Sequence, residues 1–304
     1  MEKLFYELIR VSTGQLDCLS RGPEPEEWQE LYEMAHEQHL TGVCFHGVQV
    51  LFDFGLRVPH ELIIDWMSES EAIAEQNEKL NQRCVEVQKL LSDSGFKSSV
   101  LAGQGIAHDY GETLQSLRQP DGIDLYIDGD HEQSKVFLMA WNEADVRLHD
   151  MIGFGKNPFR NKHLRPWFEK NRRALFVKDG DLIRPSVSMS LMYSLITLYW
   201  RFIYEGVTLR ELMDCFFALK RVAGYDKAAA INYEKALKGL GLLHFSQGVM
   251  WVMQEVFGLE EKAQIVKPME SNGSFILQEV MNGKRNFLHL LPKYPIDLFF
   301  SFIP

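Results

Sequence analysis

Apolar residues recur at helical spacing through the first third of the chain. Leu4, Phe5, Leu8, Ile9 and Leu16 give one helix over residues 3–17. Arg21 to Trp28 reads as a turn and then a helix start, with acids in the first turn. Thr41-Gly42 breaks that second helix, and Val43 to Phe54 forms a short third one. Pro59 opens a long helical stretch to about Ser94, with Leu62, Trp66, Ile73, Cys84, Val87 and Leu91 on one face. Glu75-Gln76-Asn77-Glu78 interrupts its seam, which argues against a coiled coil.

The period changes at Gly95. Ser98 to Leu101 reads as a strand, and Ile106 to Leu117 as helical despite Gly111. Ile123 to Asp128 alternates, with Ile123, Leu125 and Ile127 on one face and Asp124, Tyr126 and Asp128 on the other. A helix over Gln133–Asn142 and a third strand over Asp145–His149 follow. Ala174–Val177 and Leu182–Ile183 form a hairpin around Lys178-Asp179-Gly180-Asp181. Beyond Pro185, helical periodicity returns in segments 187–204, 208–222, 227–239, 243–257 and 274–282. The pattern predicts an α+β fold: a small mixed sheet at residues 95–185, between an N-terminal helical region (1–94) and a C-terminal one (186–304).

Composition narrows the partners. At 46% apolar, 304 residues can bury a sizeable core. The net charge of −10, from 42 acidic and 32 basic residues, argues against nucleic acid as a partner, because extended duplex binding wants a basic face. Cys18, Cys44, Cys84 and Cys215 lack CxxC spacing, which fits free thiols in a reducing cytoplasm. The N-terminal residues MEKLFYELIRVS carry charges without an apolar run behind them, unlike a signal peptide. No run is long enough for a membrane span. The aromatic C-terminus, Leu298 to Ile303, suits a buried tail or a partner surface. Asn161 to Arg173 holds Lys162, Arg165, Lys170, Arg172 and Arg173 beside Trp167 and Phe168. It reads as a solvated loop face or as a hold for a polyanion.

Candidate chemistry gathers in residues 98–130, SSVLAGQGIAHDYGETLQSLRQPDGIDLYIDGD. A glycine turn, Ala102-Gly103-Gln104-Gly105, precedes two carboxylates, Asp121 and Asp124, at a strand mouth. Backbone N–H groups at such a turn can cradle phosphate. Paired carboxylates hold the Mg²⁺ ions of phosphoryl transfer. The plainer reading of Asp121-Gly122 is a turn with a capping role. His149 reads as a partly buried histidine with a partner. Arg210 and Asp214, four apart on a helix, suit a mutual salt bridge.

This stretch resembles the bacterial uncharacterised nucleotidyltransferase family of the polymerase-β-like superfamily. Members read Leu-Lys-Gly-x-x-Leu-Ala, a tyrosine, then Arg-x-x-Gly-Asp-Ile-Asp-Leu. The counterparts are Leu101 to Ala107, Tyr110, and Arg118 to Leu125. Trp28–Gly42, Asn157–Asn161 and Glu205–Asp214 also resemble family segments. The resemblance implies transfer of a nucleoside monophosphate from a nucleoside triphosphate to an unknown acceptor, with Mg²⁺ as cofactor. It implies Asp121 and Asp124 as catalytic and metal-binding residues, and Gly103, Gln104, Arg118 and Arg210 as nucleotide contacts, with a structural ion pair as the equal alternative for Arg118. The departures are specific. Gly122 stands where the first acid of the pair belongs, Ala102 replaces a lysine, and Arg147 takes the place of a third-strand acid. No histidine lies between His163 and His244, where Tyr193, Tyr199, Trp200 and Arg201 stand instead. The alternative to transfer is a nucleotidyltransferase fold that has lost catalysis and serves as a nucleotide-binding or protein-interaction module.

Overall fold

A computed structural model describes residues 1–129, 131–140, 146–149, 158–171, 175–224 and 232–282. The aromatic C-terminus lies outside the described residues, as do Asp145, Asn157, Arg172, Arg173 and the start of the helix expected at 227. Four helices come first: α1 (Glu2–Ser12), α2 (Pro25–Glu37), α3 (Thr41–Asp53) and α4 (His60–Asp93). Strand β1 (Lys97–Val100) leads to two single-turn helices, α5 (Gln104–Ala107) and α6 (Gly111–Leu114). Then come β2 (Ile123–Asp128), α7 (His131–Ala140), β3 (Val146–His149) and α8 (Pro158–Asn171). A hairpin of β4 (Phe176–Asp179) and β5 (Leu182–Pro185) precedes α9 (Val187–Tyr204), α10 (Leu209–Ala223), α11 (Tyr233–Gly239), α12 (Leu243–Phe257) and α13 (Glu270–Met281). The α+β architecture is as the periodicity predicts. Among the described residues no helix is long and apolar enough to cross a membrane.

The sheet is mixed, in the order β1-β2-β3, with β1 antiparallel and β3 parallel to β2. Ile123, Leu125 and Ile127 point to one side, where they pack with Cys84, Val87 and Leu91 of α4 and Leu138 of α7. Strand alternation therefore turns Asp124 and Tyr126 to the opposite side. There Tyr126 stacks on Phe176, centroids 5.0 Å apart, and meets Phe168 edge-on. That side belongs to the main core, which takes in Leu4 and Phe5 of α1 as well as Phe245 of α12 and Val280 of α13. The N-terminal and C-terminal helical regions are tied directly. Arg10 donates to the carbonyls of Gln254, Glu255 and Val256 at the end of α12, with Nε to Val256 at 3.3 Å. A cation at a helix C-terminus meets both the unpaired carbonyls and the helix dipole.

One expectation is refined and another corrected. Residues 106–117 are helical as the periodicity predicts, but as alternating single α and 3₁₀ turns rather than one helix. Gly111, at φ +78°, breaks the run into single turns. Residues 158–171 form a helix rather than a loop face. Leu164 and Phe168, four apart, are buried on one side of it, while Lys162, Arg165 and Lys170 are exposed. The polar break in α4 also has a structural role. Asn77 is buried and donates through Nδ2 to the carbonyls of Ser116 (2.7 Å) and Arg118 (2.8 Å). It anchors the loop that feeds β2.

Candidate functional site

The parallel register sets Arg147 of β3 opposite Asp124 of β2, and His149 opposite Tyr126. Alternation puts all four side chains on the same face of the sheet. Arg147 grips Asp124 with two parallel bonds, Nε to Oδ1 at 2.8 Å and Nη2 to Oδ2 at 2.7 Å. The His149 Nε2 bonds Oδ1 at 2.7 Å. Burial works to raise the Asp124 pKa. The bonds from His149 and Arg147 outweigh it and bring the carboxyl down to about 2. Asp124 is thus a committed anion, and both of its oxygens already have donors. His149 is half-buried with a partner, as expected.

Asp121 sits in the loop before β2. Its carbonyl accepts from Arg147 Nη2. Its Oδ2 faces Arg201 Nη1 and Nη2, each at 3.4 Å, and Arg210 Nη2 at 3.3 Å. The two acids therefore answer to different cations, Asp124 to β3 and Asp121 to α9 and α10.

Gly103 holds φ +60°, ψ −112°, and a Cβ there would lie 2.7 Å from the Gly122 carbonyl oxygen. The two glycines bring the turn after β1 against the turn before β2. Gly103→Ala is expected to cost roughly 1–3 kcal/mol through backbone strain and this clash, read by urea unfolding. The turn's amides are largely engaged in its own short helix. Gly105, Ile106 and Ala107 donate to the carbonyls of Ala102 and Gly103. The Gln104 side chain is buried and turned toward α4, donating to Asn77 Oδ1 at 2.9 Å.

Arg118 is buried and forks onto Asp214 of α10, Nε to Oδ1 at 2.7 Å and Nη2 to Oδ2 at 2.9 Å. The Tyr110 hydroxyl donates to the same Oδ1 at 2.7 Å, and its ring lies 4.2 Å from that of Phe217. Burial, then Asp214, push the Tyr110 pKa well above its ordinary value, so the phenol keeps the proton it donates. The local pair expected between Arg210 and Asp214 does not form. Asp214 takes Arg118 across 96 residues of sequence instead, because a planar guanidinium can satisfy both carboxylate oxygens at once. Arg210 turns to Asp121 and Glu211.

These elements enclose a pocket of about 330 Å³, open solvent at its mouth included. Asp121 and Arg118 come from the loop before β2. Tyr193, Ser194, Thr197 and Arg201 come from α9, and Arg210, Glu211 and Asp214 from α10. Asp121, Arg118 and Arg210 share this pocket, whereas Gln104 and Gly103 do not line it. Ser194 was missed in the sequence, and the signal that could have found it is weak: one of three serines on a mostly apolar helix. A second buried cluster was missed too. Asp109 accepts from Arg184 Nη1 (2.9 Å), from Ser190 Oγ (2.5 Å) and from Arg221, and it locks the hairpin to α9 and α10. No group of three or more His, Cys, Asp and Glu side chains converges for a metal among the described residues.

Neither a curated protein nor a solved structure matches the chain. Residues 24–142, from the start of α2 through β2 and α7, fit the model of a family described as an uncharacterised nucleotidyltransferase, and this part of the chain is nucleotidyltransferase-like.

Proposed function

We propose that the protein is a nucleotidyltransferase-like binding module, in which the acids of the ancestral site serve as ion-pair partners rather than as metal ligands. It takes up nucleotide without Mg²⁺ and without transferring a nucleoside monophosphate. One observation carries this reading: Asp124 is held by Arg147 and His149 through three hydrogen bonds. Mg²⁺ demands near-ideal octahedral oxygen donors. A guanidinium bonded to the same carboxylate fills that position and repels a divalent cation. Asp121, the other expected donor, faces Arg201 and Arg210. The donor set as it stands does not fit the metal, and no step of a two-metal transfer is drawn through it. The family match supports nucleotide as the ligand class.

A second reading, Mg²⁺-dependent transfer to an unknown acceptor, has one observation behind it. The Arg147 side chain is 50% exposed, so it has room to swing away and release Asp124.

Thermal unfolding with nucleoside triphosphates, in Mg²⁺ or in EDTA, separates the two. The first reading expects equal stabilisation in both buffers and no label passed from a radiolabelled triphosphate to the protein or to acceptors. Label transfer that Asp124→Asn abolishes would replace the first reading with the second. No response to any nucleotide in either assay would remove both.

A further inference from the structure

The pocket between the β2 loop, α9 and α10 carries a feature that its ion pairs do not use. Arg210 is 4% exposed, yet its Nη1 has no hydrogen-bond partner. Ser194, 5% exposed, lines the same pocket with an Oγ that is likewise unpartnered. A buried guanidinium nitrogen without an acceptor is costly, and two unsatisfied groups in one cavity point to a missing ligand.

The charges say which kind. Three arginines and three acids line the pocket. Arg118 and Asp214 neutralise each other. Arg201 and Arg210 then face Asp121 and Glu211. Glu211 is fixed, because it also accepts from the Thr208 amide (2.9 Å) and hydroxyl (2.7 Å) at the start of α10. Asp121 is not fixed in that way. It lies in a loop, its side chain is 26% exposed, and all its side-chain contacts here are 3.3–3.4 Å long. Charge-assisted bonds of this type run near 2.7–2.9 Å when well made. Outside the pocket lining, Glu205 lies 3.7 Å from Arg201 Nε, but its side chain is 49% exposed and solvent screens it. If Asp121 turns out to solvent, Arg201 and Arg210 face one largely buried glutamate, and the pocket lining holds a single positive charge.

We propose that this pocket binds a small monocarboxylate, and that the Asp121 side chain is its built-in competitor. A single negative charge balances the opened pocket, whereas a phosphate dianion overshoots it. Arg201 and the free edge of Arg210 take the ligand's carboxylate, and Ser194 completes its hydrogen bonding. Ala102, Ile106 and Leu198 supply an apolar wall for a short carbon chain. Much of the 330 Å³ is open solvent, so the cavity leaves room only for a short-chain acid. The inference does not rest on nucleotide binding and survives its failure.

Calorimetric titration with butyrate, and with inorganic phosphate at pH 8 as the dianionic comparator, tests it. Asp121→Asn removes the competing charge while keeping the shape. It is expected to bind butyrate at least tenfold more tightly than the unaltered protein, and to prefer it to phosphate. Ser194→Ala deletes a hydroxyl that has no partner, so its unfolding temperature should hold while butyrate affinity falls several-fold. Arg201→Gln should lose most of the binding. Absence of saturable butyrate binding in Asp121→Asn would overturn the inference. So would tighter binding of phosphate than of butyrate, or butyrate affinity that ignores Ser194→Ala.

Discussion

Asp214→Ala is expected to destabilise the protein by about 3–5 kcal/mol, the range for breaking one side of a buried ion pair. The loss does not measure the strength of the pair. Arg118 is 2% exposed, and without Asp214 its guanidinium is left in the core with the Gln119 carbonyl as its remaining hydrogen-bond acceptor, at 3.2 Å. The Tyr110 hydroxyl loses its acceptor in the same step. Asp214→Asn should cost less, since one oxygen remains for Tyr110 or Arg118. Replacing both charges, as Arg118→Met with Asp214→Leu, should restore much of the loss, because the penalty comes from an uncompensated charge. Urea unfolding of the four proteins forms a double-mutant cycle. A loss below about 1 kcal/mol for Asp214→Ala would show that the pair is not buried as described.

That pair also explains why the site was only partly legible. Tyr110, Arg118 and Asp214 come from three separate segments of family resemblance, and the fold brings them to one buried carboxylate. Their spacing along the chain carries no sign of this. Local spacing favoured Arg210 for Asp214, and the i,i+4 contribution of a few tenths of a kcal/mol yielded to a bidentate buried bond. The helices and β2 were readable because burial imposes a period on them, 3.6 or 2. Helix α8 escaped because Pro166 and the charges around it mask a face of only Leu164, Trp167 and Phe168. Asn77 looked like a break in a seam, and its role appears only when the carbonyls of Ser116 and Arg118 arrive from 39 and 41 residues away. Arg147 was legible as a departure at its position. That it would close on Asp124 required the parallel register of β3, which the sequence does not encode locally.

The acid response is expected to be the second large effect, and Asp124 should carry a distinct share of it. Its carboxyl is brought from 3.8 to about 2 in the fold, where the bonds to His149 and Arg147 outweigh the burial that would raise it. A depressed carboxylate favours the folded state above the unfolded pKa and loses that contribution as pH falls through the folded value. The window therefore runs from about pH 5 down to about pH 2, and the shift corresponds to about 2 kcal/mol. Arg147 is half-exposed, so solvent screening makes that figure an upper bound. Asp124→Asn should lose about this much at pH 7 and show a flatter decline between pH 5 and 2. It should not abolish the decline, because Glu211 is also brought to about 2. There burial works to raise the pKa and is outweighed by Arg210 and by the bonds from Thr208. Arg147→Gln should reduce the Asp124 contribution while leaving that of Glu211 intact, since Arg147 is not among the groups acting on Glu211. Urea unfolding free energies at pH 7, 5, 4 and 3 give the slopes directly. If Asp124→Asn follows the pH profile of the unaltered protein, Asp124 is not held as an anion by Arg147 and His149. The carboxylate would then be free for a metal, and the case for a binding module without Mg²⁺ would fail with it.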